Sequence, residues 1–234
     1  MSESGESDRR RGRGRVHNAK GAQEAILNAA EEVFAEHGFD GARIDAIAAK
    51  SGYNKSLLFQ YFDDKLNLYA EVLKRADREM NAMQAQVLAP LLEDENIVLD
   101  VETFKALLET IAAAVFDYLL GHPRLMRMIL WEMAEGWKIY AKIIPQINTD
   151  DLSLFEKLFR KAYSVGLLRT NFAPAVQLTM FLQICQSYLA YLPLYQIMFP
   201  DEDWSSAAVL AEARKYIVTL IVTGMIKDFP ETKI

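Results

Sequence analysis

The chain has very little of the chemistry from which metal sites and most enzyme sites are built. Its 234 residues include one cysteine, Cys185, and three histidines, His17, His37 and His122. Their spacing matches no zinc-binding pattern, and one cysteine excludes an internal disulfide framework. The sequence contains no glycine-rich phosphate loop and no nucleophile-elbow motif. We therefore predict a protein that holds no metal or cofactor and is not an enzyme.

Long uncharged apolar runs are also scarce. The nearest approach, residues 173–199, is interrupted by Pro193 and contains several glutamines, so we interpret it as a buried helix at a subunit contact rather than a membrane span. The N-terminus is polar and lacks the apolar segment of a signal peptide. Together with the lone cysteine, these features predict a cytoplasmic location.

Basic residues are outnumbered overall but concentrated at one end. The formal net charge is −6, yet five arginines and Lys20 lie near the N-terminus with no acid among them; the arginines are Arg9, Arg10, Arg11, Arg13 and Arg15. We expect residues 1–19 to form a disordered basic arm. Two interpretations stay open: a solvated tail, or an arm that reaches along DNA phosphates or into the minor groove.

Apolar residues make up 51% of the chain, enough for a substantial core. Their spacing is helical throughout, which predicts an all-α protein. We expect helices over residues 20–37, 64–88, 100–120, from Pro123 through Trp137, from Asp150 or Asp151 to Gly166, 174–199 and 205–228. Glu132 and Glu135 fall on one of these helices and are interpreted as a solvated face or a structural ion pair rather than as acid–base catalysts.

Residues 38–69 predict two short helices joined by a tight turn. Ile44, Ile47 and Ala48 form one apolar stripe, and Ser51-Gly52 supplies the turn because glycine adopts positive φ readily. Asn54 is a good N-cap for the second helix, which Leu58 and Phe62 anchor. The N-terminal turn of such a helix meets base edges in the DNA major groove.

This stretch resembles the DNA-binding domain of the TetR family of bacterial transcription regulators. The resemblance covers about residues 22–72 and rests on Gly38-Phe39-x-Gly41, Ile44, Ile47-Ala48, Ser51-Gly52, Asn54-Lys55, Leu58-Phe59-x-Tyr61-Phe62, Lys65 and Leu68-Tyr69, with Ala29-Ala30, Val33-Phe34 and Glu36-His37-Gly38 upstream. It implies an all-α homodimer with an N-terminal three-helix helix-turn-helix domain at 20–70. A helical effector-binding and dimerisation domain would follow at 71–234.

The resemblance also implies the DNA-contacting positions. They are Arg43, Tyr53, Asn54, Lys55, Ser56, Leu57, Phe59, Gln60, Tyr61 and Lys65. Arg43 stands where members usually carry Thr or Ser, so it cannot cap the helix but can grip a phosphate. Leu57 stands where a small polar residue is common and is expected to read a thymine methyl group.

Aromatic and sulfur-containing side chains on the later helices predict a site for a mainly apolar small molecule. The candidates are Phe104, Tyr118, Met126, Trp131, Met133, Trp137, Phe181, Cys185 and Tyr188. The alternative for each residue is ordinary core packing.

The last two helices are apolar around more than one face, which predicts a partner on the outer side. The expected homodimer contacts are Phe181, Leu182, Leu189, Tyr216, Ile217 and Leu220. The sequence therefore predicts a repressor that a small apolar effector releases from a palindromic double-stranded operator. A helical carrier or sensor of apolar ligands without DNA function is the alternative, and an enzyme built on a helical bundle is a third hypothesis.

Overall fold

The computed structural model describes residues 4–92, 100–146, 150–169 and 173–227. These residues are helical apart from short turns, and their β pairing is a single bridge between Leu168 and Ile226. The predicted all-α class is confirmed. The helices are α1 Ser4–Gly41, α2 Ile44–Ser51, α3 Lys55–Phe62, α4 Lys65–Leu92, α5 Val101–Gly121, α6 Pro123–Ala134, α7 Tyr140–Ile143, α8 Asp150–Ser164, α9 Pro174–Met198 and α10 Ala207–Met225. A 3-10 turn, Ile144–Gln146, follows α7.

Local capping signals place several helix starts where they were expected. The Asn54 side chain accepts a 2.9 Å hydrogen bond from the Leu57 amide, and Asp100 accepts one of 2.8 Å from Thr103. Pro123 is the first residue of α6, where its missing N–H costs nothing. Gly52 turns the chain after α2 with φ of 76°, as predicted for the turn of the helix-turn-helix.

Four predicted boundaries or positions are wrong. α1 begins at Ser4 rather than Lys20, since no proline interrupts the sequence before Gly38. α4 continues past Pro90 to Leu92, because a proline so close to the C-terminus removes only one intrahelical bond. α6 ends at Ala134 rather than Trp137. The side chain of His37, expected in the apolar stripe of α1, is 54% exposed.

The chain divides into two compact units. Unit 1 contains residues 1–77 and 127–146, and unit 2 contains residues 78–126 and 147–234. Both α4 and α6 therefore contribute residues to each unit. The helix-turn-helix shares its unit with the second half of α6 and with α7.

Unit 1 is built on an apolar core from its first four helices. Ile26, Ala30, Val33 and Phe34 of α1 are buried together with Ile47 of α2, Leu58 and Phe62 of α3, and Leu68 and Tyr69 of α4. Aromatic rings reinforce this core: the Phe34 and Tyr69 rings meet edge to face at 4.8 Å. The core fixes the exposed side of α3.

Unit 2 has its own core, formed by α5, α8, α9 and α10. Its buried residues include Phe104, Leu108, Val115 and Phe116 of α5, Phe159 of α8, Phe181, Cys185 and Leu189 of α9, and Ile217 and Ile221 of α10. An ion pair between Arg214 and Asp117, with two 2.7 Å contacts, joins α10 to α5 at the surface. α9 passes through Pro193 without ending.

Candidate functional site

The N-terminal turn of α3 forms an exposed surface, and buried side chains of the same helix anchor it to the core. Leu58 and Phe62 are 1% and 7% exposed, so they fix the helix against the unit 1 core. On the open side, Lys55 and Ser56 are exposed and Leu57 is half-buried. The Asn54 cap bond ends at the Leu57 amide and so sets where this turn begins. The arrangement presents three consecutive side chains to whatever binds this surface.

The other predicted DNA contacts surround that turn. Phe59 is 42% exposed and Gln60 is exposed, while Tyr53 and Tyr61 are half-buried. The Tyr61 ring packs against the Phe62 ring, with the ring centres 6.2 Å apart, so this tyrosine is held in position at the edge of the surface. Arg43 is the residue before α2 and is exposed. Its side chain makes no capping hydrogen bond, as predicted for an arginine at this position.

Two cations of this surface already have internal contacts. Lys55 Nζ lies 2.6 Å from an Asp45 carboxylate oxygen. Lys65 Nζ lies 4.7 Å above the centre of the Phe39 ring and donates to the Asp40 carbonyl at 3.3 Å. Burial lowers the pKa of Lys65, and the Asp40 charge acts in the opposite direction. Lys65 is thus a positioned cation at the first residue of α4.

Unit 1 also contains a buried carboxylate where the sequence predicted a solvated face or an ion pair. Glu132 is 4% exposed and lies on no solvated face. One of its oxygens accepts a 2.9 Å bond from the Tyr69 hydroxyl, and the other accepts a 3.0 Å bond from the Tyr140 amide. Burial, followed by the Glu132 charge and hydrogen bond, raises the pKa of Tyr69. The carboxylate therefore joins α6, α7 and α4.

Trp131, beside Glu132, contacts the C-terminal part of α1. Its indole N–H donates a 3.2 Å bond to the Ala35 carbonyl. Gly38 has φ of +67°, and a Cβ built there would lie 3.1 Å from the Trp131 ring. A side chain at this position would be strained in its backbone and crowded by the ring, which favours glycine. The spacing of Trp131 and Glu132 within α6 gave no signal of these contacts, because their partners are distant in sequence.

The nine predicted ligand residues fall into two groups. Trp131, Met133 and Trp137 lie in unit 1 and are between 36% and 40% exposed. Trp137 is not helical: Gly136 and Trp137 both have positive φ, 72° and 62°, in the turn that ends α6. The other six lie in unit 2, namely Phe104, Tyr118, Met126, Phe181, Cys185 and Tyr188.

Five of these six, all except Tyr118, contribute to one aromatic and sulfur-rich core. Phe104 meets Phe159 edge to face at 6.2 Å, and Tyr188 lies 6.3 Å from the Phe116 ring. Burial raises the pKa of the Cys185 thiol to about 12. The Tyr188 hydroxyl oxygen is buried and has no hydrogen-bond partner among the described residues. Burial, with a smaller contribution from Tyr195, raises its pKa.

Tyr118 has a different setting at the end of α5. Its ring stacks on His122 at 4.0 Å, and its hydroxyl lies 3.5 Å from Glu79. The His122 Nε2 atom lies 3.4 Å from the same carboxylate, and Nδ1 lies 2.7 Å from the Tyr118 carbonyl. Polar and charged groups therefore surround this tyrosine, unlike Tyr188.

The outer face of α9 and α10 is strongly apolar. Met180, Tyr216 and Leu220 are 57%, 69% and 48% exposed. A cavity of about 420 Å³ lies in this face and is lined by Gln177, Met180, Phe181, Ile184, Leu220, Ile221, Gly224 and Met225. Among the six predicted dimer residues, Tyr216 and Leu220 are exposed and Leu182 is half-buried. The other three, Phe181, Leu189 and Ile217, are buried within the single chain.

The described ranges contain neither a metal-ligand cluster nor a membrane-spanning helix. No group of His, Cys, Asp or Glu side chains in them is arranged to hold a metal ion. None of their helices is both long enough and apolar enough to cross a membrane.

Comparison with protein families matches both parts of the chain. Residues 26–72 match the family described as "Bacterial regulatory proteins, tetR family", and residues 105–221 match "Tetracyclin repressor-like, C-terminal domain". The second match alone spans half of the chain. The first of these segments contains α2, α3 and the exposed turn described above.

Among characterised relatives, the HTH-type transcriptional repressor SCO4008 of Streptomyces coelicolor is 34% identical over 110 residues, covering 47% of this chain and 48% of that protein. The chain therefore aligns with about half the length of this relative. The HTH-type transcriptional repressor NicS of Pseudomonas putida is 22% identical over 176 residues, covering 74% and 78%.

Solved structures share the fold. The Streptomyces coelicolor protein SCO4942 superposes with a TM-score of 0.61 at 24% identity, covering 87% of this chain and 98% of that one. The fatty acid degradation regulator FadR of Bacillus halodurans superposes with a TM-score of 0.59 at 17% identity, covering 87% and 95%.

Proposed function

The chain belongs to the TetR family of bacterial transcription regulators, and we propose that it is a repressor released from a palindromic operator by a mainly apolar small molecule. Members of this family are DNA-binding regulators, not enzymes. The observation that carries the proposal is the exposed N-terminal turn of α3, capped by Asn54 and held by two buried anchors. A regulator of bacterial DNA acts beside the chromosome, so the cytoplasm is its proposed location.

In the proposed complex the start of α3 lies in the major groove. Lys55, Ser56 and Leu57 contact base edges, with the half-buried Leu57 placed against a thymine methyl group. Arg43, Tyr61 and Lys65 contact phosphates. The internal contacts of Lys65 support this role, because a side chain held above a ring loses less conformational freedom on binding. Tyr53, Asn54, Phe59, Gln60 and Tyr61 border the same surface.

The proposed effector site lies in unit 2. Phe104, Met126, Phe181 and Cys185 supply apolar or polarisable surface there. The Tyr188 hydroxyl has no hydrogen-bond partner among the described residues. It supports an effector that carries one hydrogen-bonding group, since a bond to it removes the cost of a buried polar atom. Tyr118, Trp131, Met133 and Trp137 remain predicted ligand residues. Trp131 contacts α1, so its fluorescence would report on unit 1 as well.

A homodimer is proposed through the outer face of α9 and α10. Met180 and Leu220 border a cavity in a single chain. Both are exposed there, as is Tyr216 on the same helix pair, and a second copy would cover all three. Leu182 is half-buried and is proposed to join this contact. Phe181, Leu189 and Ile217, which are buried in the single chain, would support it from within. A two-fold axis at this contact would set two α3 helices about 34–36 Å apart, one turn of DNA, and the operator would be an inverted repeat.

The DNA proposal is tested by measuring affinity for the DNA upstream of the chain's own gene over a range of salt concentrations. Lys65→Ala should weaken binding to all sequences and reduce the salt slope by about one unit, as expected for one lost phosphate contact. Leu57→Ser should instead alter preference at one base position. A uniform loss across sequences for Leu57→Ser would refute this docking.

The effector proposal is tested by titrating candidate apolar compounds while recording tryptophan fluorescence and operator affinity. The fluorescence change should saturate as the effector is added. Bound effector should shift operator affinity by a coupling factor that is typically 5–150-fold. A compound that binds unit 2 tightly and leaves operator affinity unchanged would favour the alternative, a carrier or sensor of apolar ligands, for which the apolar core is the supporting observation.

A further inference from the structure

We propose that the arginine-rich segment, residues 9–20, is a second DNA contact and supplies most of the positive charge that neutralises phosphates. This inference rests on the proposed function, because it requires that unit 1 binds duplex DNA. The segment contains five arginines and Lys20, and no acidic residue occurs from residue 9 to residue 23. None of the base-contact or phosphate positions assigned above lies in it.

The rest of the DNA-binding part of the chain is acidic. Residues 21–77 contain six basic and ten acidic residues, a formal net charge of −4. Duplex DNA carries one negative charge per ~1.7 Å of its axis, and protein cations supply essentially all non-specific affinity. A surface with this net negative charge is repelled by DNA at long range unless cations from elsewhere in the chain offset the charge.

Internal ion pairs further reduce the charge that these six cations offer. Among the residues that the structure describes, four of the six have a carboxylate partner: Lys50 with Glu32, Lys55 with Asp45, Lys74 with Glu71, and Arg75 with Glu24 and Glu31. A paired cation that turns to a phosphate either loses its carboxylate or brings that negative charge to the DNA. Arg43 and Lys65 are the remaining two, and Lys65 donates to a backbone carbonyl.

The basic segment is continuous with the DNA-binding unit. The α1 backbone is helical from Ser4 into the buried residues Ile26 to Phe34, and the segment belongs to unit 1. Arginine is suited to this role because its guanidinium forms two parallel hydrogen bonds to a phosphate. Phosphate contacts hold a protein on DNA without reading its sequence. The segment should therefore raise affinity for all sequences alike.

The expected size of the effect follows from counterion release. Each phosphate neutralised contributes about 0.9 to the slope of log affinity against log salt. This corresponds to about eightfold higher affinity at 0.1 M salt than at 1 M salt. Five arginine contacts would thus contribute about 4.5 to the slope and up to about 3 × 10⁴-fold in affinity. Arg43 and Lys65 together would contribute about 1.8 to the slope.

The test uses the full-length chain and a random-sequence duplex of about 30 base pairs, long enough for two major-groove contacts one turn apart. Fluorescence anisotropy gives the affinity at several salt concentrations. In the first variant all five arginines, 9, 10, 11, 13 and 15, are changed to Gln. In the second they are changed to Lys, which keeps their charge. A charge-matched control changes five basic residues of unit 2 to Gln: Lys105, Arg124, Lys157, Lys215 and Lys227.

The Gln variant should lose about three to five units of salt slope and at least about 1000-fold in affinity at 0.1 M salt. The Lys variant should keep the slope, and the unit 2 control should stay within one unit of the unmodified chain. A Gln variant within one unit of the unmodified chain would overturn the inference while leaving operator binding by α3 intact. Tighter binding by the Gln variant would also overturn it, since the segment would then be pairing with carboxylates of its own chain. An equal loss in the unit 2 control would mean that net charge alone causes the effect, and this result would also overturn the inference.

A separate measurement with upstream DNA distinguishes failure of the basic-segment inference from failure of the operator proposal. If the segment acts on phosphates, the Gln variant should keep the ratio of its affinity for upstream DNA to that for the random duplex. If the unmodified chain shows no preference for upstream DNA but the arginines still set the salt slope, the operator is located elsewhere and the inference stands.

Discussion

Replacing Glu132 by Ala should destabilise unit 1 far more than removing a carboxylate from a half-buried position of the same unit. The Glu132 carboxylate is the acceptor for two donors, the Tyr69 hydroxyl at 2.9 Å and the Tyr140 amide at 3.0 Å. The Tyr69 side chain is 1% exposed, so water cannot replace the lost acceptor without opening the core. The substitution would leave a buried hydroxyl and a part-buried amide without partners.

The magnitude follows from the cost of leaving such groups unsatisfied. Each unpartnered donor costs about 1–3 kcal/mol, and hydrogen bonds to a charged group lie in the upper part of the range. Removing the buried charge returns part of this cost, because burying a carboxylate is itself unfavourable. We expect a net loss of about 3 kcal/mol. For a chain of this size that corresponds to a fall in Tm of about 6–12 °C.

The assay is thermal unfolding followed by circular dichroism, with two comparisons. Glu135→Ala is the matched control: it removes the same charge just after the end of α6, from a position that is at least partly exposed, and should cost less than about 1 kcal/mol. Tyr69→Phe and the double variant complete a cycle, in which the two losses should be non-additive by about 0.5–3 kcal/mol. A Glu132→Ala variant no less stable than the control, or an additive cycle, would refute this reasoning.

Four further expectations follow from the same structure. Cys185, with its thiol buried and its pKa raised to about 12, should not react with a thiol reagent at pH 8 until the protein is unfolded; rapid labelling of the native chain would show that the unit 2 core opens. Asn54→Ala should cost about 1 kcal/mol of stability through loss of the α3 cap and weaken operator binding, whereas Asn54→Asp, which keeps the cap acceptor, should retain stability. Leu220→Glu should convert a dimer to a monomer in sedimentation and abolish tight operator binding, with Leu182→Glu acting the same way; an unmodified chain that is monomeric at micromolar concentration and binds its operator fully would rule this interface out. The pKa of Tyr69 is raised from its ordinary value of 10.0, so its contribution to stability is complete below pH 10 and is lost as pH rises above it. Between pH 10 and 11.5 the free energy of unfolding should therefore fall more steeply for the unmodified chain than for Tyr69→Phe, by about 1.4 kcal/mol per pH unit, as measured by denaturant unfolding at each pH.

Sequence alone determined the features that depend on neighbouring residues. Asn54, Asp100 and Pro123 mark helix starts because capping groups act within one turn, and the structure places them there. Gly52 marks the turn because positive φ is a property of one residue. The helix-turn-helix and the exposed positions of α3 follow from these signals and from the spacing of Leu58 and Phe62.

Tertiary structure decided which groups came together from distant parts of the chain. The helical period places Glu132 on α6, but only its contacts with Tyr69 and Tyr140 make it a buried acceptor. The same is true of Trp131, whose place against Gly38 depends on residues more than ninety positions away. The nine predicted ligand residues share a chemistry, yet the structure divides them between two units. Local propensities act over a few residues, whereas burial of a polar or aromatic side chain depends on the surfaces that the whole fold brings against it.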